Sequence, residues 1–96
     1  MAFRLPTTVE NYEFRAIRTG NGRNGAWMSL VLESPEDADQ IDVSVPRDMH
    51  GDIYNLGLKK GDKVTAKVVA FAGPEYSRIT LESIVTVVDV NGEVVL

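Results

Sequence analysis

The stretch Lys63–Ala72, KVTAKVVAFA, constrains the fold more than any other part of the chain. Val64, Ala66, Val68 and Ala70 alternate with Lys63, Thr65, Lys67, Val69 and Phe71. A period of two puts the first set on one face of a β-strand and the second on the other. The small aliphatic face belongs to a core. The opposite face carries ammonium groups and a ring, and Tyr76 and Arg78 follow beyond a Gly73–Pro74 turn.

The same alternation recurs along the chain. Residues 9–19, VENYEFRAIRT, read as a first strand, and 26–34, AWMSLVLES, as its return. In the return strand Met28, Leu30 and Leu32 share one face, with Trp27, Ser29, Val31 and Glu33 on the other. Between them lies GNGRNG, residue types that tolerate the backbone angles of a hairpin loop. IDVSV (41–45) turns Ile41, Val43 and Val45 inward and ends at Pro46. RDMHGDIYNLG (47–57) is the one candidate helix, with Met49, Ile53 and Leu56 on one stripe and Gly57 placed to end it. KKGD (59–62) is a turn. RITLESI (78–84) is the fifth strand, with Ile79 and Leu81 inward. VTVVDVNGEVVL (85–96) is a hairpin around Asn91–Gly92.

Five strands with a single short helix between the third and fourth, in 96 residues, predict an all-β, five-stranded OB-fold Greek-key barrel with a C-terminal hairpin. The expected layout is one domain over 1–96, with the barrel core at about 9–84 and the hairpin at 85–96.

AWMSLVLES, IDVSV, a helical connection and LGLKKGDKVTAKVVAF together resemble the single-stranded DNA-binding protein family, in its compact phage and bacterial form. The resemblance spans residues 9–88 as a pattern, and its sharpest part is Leu58–Val64, a motif shared by many OB barrels. The resemblance does not extend to the family's acidic C-terminal tail, the last residues here being NGEVVL, so recruitment of partners through such a tail is not expected. The resemblance implies binding of single-stranded DNA in support of replication or recombination, in the cytoplasm of a bacterium or of a phage-infected host. Two other likenesses stay open. GDKVTAKVVAFAGPEYSRITLES is similar to the RNA-binding barrel of translation initiation factor 1. VSVPRDMHGDIYNLGLKKGDKV is similar to the swapped-hairpin transition regulators of bacteria.

Charge qualifies the reading. The formal net charge is −4, which argues against binding polyanions by bulk attraction. The acids concentrate in residues 33–62, with eight against three bases, whereas residues 1–32 hold four bases and two acids. The basic and aromatic residues on outward positions form the candidate site. Trp27, Phe71 and Tyr76 would stack bases, and Lys63, Lys67, Arg78, Arg23 and Arg15 would hold phosphates. Against it stands the plainer view that Trp27 and Phe71 are core or interface residues and the lysines a solvated face.

Other motifs carry less. Gly20-Asn21-Gly22-Arg23-Asn24-Gly25 fits G-x-G-x-x-G letter for letter, but a dinucleotide site needs a helix after the loop and a strand follows here. Glu36, Asp37, Asp39 and Asp42 do not match the spacing of a calcium loop. With one histidine and no cysteine, there is no nucleophile constellation and no thiolate site, so neither catalysis nor a cofactor or metal is expected. A protein–protein or assembly module, pairing through the 85–96 hairpin into a homodimer or larger oligomer, is the alternative of a different class.

Overall fold

In the computed structural model, residues 3–96 are described. Five strands follow one another as β1 (Phe3–Gly22), β2 (Gly25–Glu33), β3 (Gln40–Ser44), β4 (Lys63–Ala72) and β5 (Ser77–Val88). They close into a barrel in the order β1-β2-β3-β5-β4. One turn of 3-10 helix (Arg47–Met49) and helix α1 (His50–Leu56) join β3 to β4. This is the five-stranded OB topology that the spacing of the strands predicts.

β1 is longer than the expected 9–19 and does the closing. Its first half pairs with β4, from Phe3↔Ala72 to Glu13↔Lys63, and its second half with β2, from Glu13↔Glu33 to Gly22↔Gly25. The strand changes partner by bending. Asn11 takes a φ of 55°, the register slips between Val9 and Tyr12, and the Asn11 amide donates to Thr65 Oγ1 at 3.0 Å. Asparagine accepts this left-handed conformation better than other side chains, and a bulge there turns the sheet through a corner. A second slip lies between Phe14 and Ala16.

The inward residues meet along the barrel axis. Leu30, Leu32, Val43, Val64 and Ala66 are completely buried, with Met28, Val68, Leu81 and Val87 almost so. Helix α1 closes one end by inserting Ile53, which is 1 % exposed, with Met49 and Leu56 packed beside it. Gly57 ends the helix at φ 62°, ψ 41°, as its position just past the stripe predicts. His50 is half-buried, its Nε2 3.0 Å from the Val45 carbonyl oxygen.

The turn at 59–62 is tighter than its composition alone implies. Gly61 stands at φ 100°, the Asp62 amide donates to the Lys59 carbonyl, and the Lys59 amide donates to Asp62 Oδ2 at 2.9 Å. Asp62 is consequently 4 % exposed, the one buried charged side chain among the described residues.

Two corrections concern the last strands. β5 continues to Val88 rather than stopping near 84. It does so with two slips against β4, where Thr65/Ala66 face Thr86/Ile84 and Lys67/Val68 face Ser83/Leu81. Val85 and Glu82 are the extra residues. The slips flip strand parity twice, so that Ile84 and Val87 turn inward while Val85 is exposed. The C-terminal hairpin forms around Asn91–Gly92, with Asp89 Oδ1 accepting the amides of Asn91 and Glu93. Its returning arm is brief: Val94 bridges Val88, and the Val95 amide donates to Val87.

β3 and β5 touch through one parallel pair, Ser44↔Thr80. On the β4–β5 loop side of that pair the two strands part, and a cavity opens between them.

Candidate nucleic-acid interface

The outward residues of β1, β4 and β5 form rows across the sheet. Arg4 pairs with Phe71 and Phe71 with Arg78, so the ring stands in a row between two arginines. The β4–β5 loop then folds back. Gly73 donates its amide to the Tyr76 carbonyl, and a Cβ on Gly73 would lie 3.1 Å from the Phe71 ring. That close approach brings Tyr76 over the row. The Phe71 and Tyr76 ring centroids are 5.2 Å apart with planes tilted by 33°. The Arg78 guanidinium carbon lies 5.6 Å from the Tyr76 centroid, within cation–π range. Phe71 is half-buried and Tyr76 is 56 % exposed, so Phe71 is anchored while Tyr76 offers a free face.

Two cavities share this cluster. One, of about 570 Å³, lies in the opening between β3 and β5. The other, of about 420 Å³, lies over β4 and β5, with Arg4, Phe71, Tyr76, Arg78 and Glu82 on its walls. A third depression, bordered by Thr8, Lys67 and Glu82, continues from the second. Together they make one track past Lys67, Arg4 and Arg78. None of these three cations forms an ion pair among the described residues.

The remaining expected residues lie elsewhere. Trp27 is on the outer face, 43 % exposed, and packs flat on Gly20, where a Cβ would come within 2.6 Å of the indole. Ser29, Ser44, Thr80 and Val69 form a continuous row across four strands. Trp27 stands two residues to one side of that row and Phe71 two to the other. They are therefore roughly 13 Å apart along the strands and three strand spacings of about 4.8 Å apart around the barrel. The two rings do not share a groove. Arg23 is exposed in the β1–β2 turn on the Trp27 side, where Arg47 donates to the Asn24 carbonyl.

Lys63 and Arg15 are occupied by Glu13. Arg15 donates to its carboxylate at 2.6 Å, and Lys63 Nζ lies 3.9 Å away. The hydrogen bond from Arg15, aided by the charges of Arg15, Lys63 and Lys60, outweighs desolvation and holds the Glu13 carboxyl below its ordinary 4.5. Arg18 similarly meets Asp42 at 3.3 Å.

Of the eight expected residues, Lys67, Phe71, Tyr76 and Arg78 are thus gathered on the track. Trp27 and Arg23 stand on another face, and Lys63 and Arg15 form an ion cluster. Arg4 is the residue that the sequence reading missed. Its signal, Phe3-Arg4-Leu5, lies before the first strand as read over 9–19. Among the described residues, no group of three or more His, Asp or Glu side chains is placed to hold a metal, and no helix is long and apolar enough to cross a membrane.

The fold and the track define a class, an OB barrel with a cationic–aromatic outer face. Comparison with protein-family models, with curated proteins and with solved structures finds no match to any of them.

Proposed function

We propose that this barrel binds single-stranded DNA without strong dependence on sequence, along the track over the first half of β1, β4 and β5. The observation that carries the reading is the Phe71–Tyr76 pair between Arg4 and Arg78. Unpaired strands need flat surfaces for bases and cations for phosphates, and this cluster supplies both within one strand spacing. A role in replication or recombination, as in the family the sequence resembles, belongs to the same proposal. The track differs from the groove expected around Trp27, so the site is smaller and more local than eight residues implied.

The test is anisotropy of a labelled oligo-dT titrated with protein at low and high salt. Phe71→Ala and Tyr76→Ala should each weaken binding by about 1–3 kcal/mol, the usual contribution of one stacked base. Trp27→Phe should leave it within about twofold, a change below 0.5 kcal/mol. Absence of salt-sensitive binding, or an unaltered Phe71→Ala/Tyr76→Ala double variant, would remove the reading. Competition by oligo-rU of equal length distinguishes DNA from RNA preference.

Self-association is the second reading, favoured by the exposed Val94, Val95 and Leu96 on the returning arm of the hairpin. Light scattering with and without oligonucleotide separates the two. A stable oligomer indifferent to nucleic acid favours assembly.

A further inference from the structure

The cavity between β3 and β5 contains more than binding without base preference requires. Phe71 and Arg78 line it from one side, and Asp42 and Ser44 from the other. Asp42 is the one carboxylate on its walls. Glu82 borders the track over β4 and β5, whereas Asp42 shares the walls of this cavity with Phe71 and Arg78.

Asp42 is placed to meet a donor. The parallel pair Ser44↔Thr80 puts Asp42 level with Arg78, two residues earlier on each strand. Yet the two do not pair, because the Arg78 guanidinium lies over Tyr76. Asp42 instead accepts from Arg18 through Oδ2, across β2, and Oδ1 has no hydrogen-bond partner among the described residues. Arg18, which is not on the cavity wall, therefore holds one carboxylate oxygen and leaves the other without a donor.

We infer that this cavity is a base subsite in which Asp42 favours guanine. The inference rests on the nucleic-acid reading above and adds a preference to it. With Phe71 stacking a base and Arg78 at its phosphate, Asp42 faces the base edge. A carboxylate offers acceptors only. Guanine presents N1–H and N2–H side by side, matching two carboxylate oxygens. Adenine and cytosine present an amino group next to an acceptor nitrogen. Thymine presents one N–H between two carbonyl oxygens, which the carboxylate repels. Binding remains broadly tolerant because stacking and phosphate contacts accept any base, and Asp42 tunes one position.

The experiment compares labelled d(GT), d(IT) and dT oligonucleotides of equal length by anisotropy. Inosine keeps N1–H and loses only the 2-amino group. The wild-type protein should bind d(GT) about fivefold or more tighter than d(IT), the lower end of what a bidentate base contact contributes. Asp42→Asn should bring that ratio to about one, with dT binding unchanged or tighter. Asp42 is 55 % exposed, so the variant stays folded. Asp52→Asn on α1 removes the same charge elsewhere and should keep the ratio. Equal affinities for d(GT) and d(IT), or a ratio that survives in Asp42→Asn, overturn the inference while dT binding persists. If no oligonucleotide binds, the underlying reading falls and the preference with it.

Discussion

Phe71 and Tyr76 are five residues apart in sequence, and their ring centroids lie 5.2 Å apart because the loop between them folds back through Gly73. That contact converts a strand end and a loop residue into one surface. Arg4, from the far end of the sequence, reaches the same surface through its pairing with Phe71.

Salt dependence separates cations that face a ligand from those that do not. For single strands the slope of log K against log salt is about −0.7 for each phosphate neutralised. Arg78→Ala and Arg4→Ala should each reduce its magnitude by about 0.7. Lys63→Ala should leave the slope unchanged, since Lys63 faces Glu13. Titrations at several salt concentrations read both outcomes.

Gly20 sets where the indole lies. A methyl group there would come within 2.6 Å of the Trp27 ring, closer than atoms can approach, and the exposed indole is free to swing outward. Gly20→Ala should therefore shift Trp27 emission to longer wavelength, with a loss of about 1 kcal/mol from the lost packing. The chain has a single tryptophan, so the spectrum reports this site alone. Affinity for oligo-dT should stay within about twofold, a change below 0.5 kcal/mol.

Asp62 secures the turn into β4. Replacing it by alanine leaves the Lys59 amide without its acceptor in a half-buried turn, at a cost of about 1–3 kcal/mol. Asp62→Asn keeps an acceptor oxygen and should cost less. Urea denaturation of the two variants measures the difference.

Glu13 gives a pH dependence with a definite sign. Its carboxyl is lowered from 4.5 in the folded protein, so the fold favours the ionised form. The corresponding stabilisation is present above the unfolded value and is lost as pH falls from about 4.5 through the lower folded value. The Tm difference between wild type and Glu13→Gln should be steady near neutral pH and shrink below pH 4.5. A difference that grows on acidification would contradict the Arg15–Glu13 account.

The strands of this barrel were legible because each is half-buried. Val64, Ala66 and Val68 follow the period of two and are buried, and Met28, Leu30 and Leu32 do the same. The helix was legible from Met49, Ile53 and Leu56, and its end from Gly57. Where alternation fails, the reading failed with it. The slips around Glu82 and Val85 hid the continuation of β5, and residues 3–8 at the start of β1 are all exposed, so no buried face announces it.

The sequence by itself determined the order of the elements, the inward faces and the C-terminal turn, because these depend on residues close along the chain. It also put Trp27, Phe71 and the lysines of β4 on the outward parity of their strands, while leaving a core or interface role for the two rings open. Which of them stand together was decided only by tertiary structure. Outward residues on different strands become neighbours through register and closure. The bend at Asn11 and the single Ser44↔Thr80 contact put Arg4, Phe71 and Arg78 in one row and Trp27 on another face. A pattern of alternation defines two faces of each strand, and only the pairing of strands turns those faces into a site.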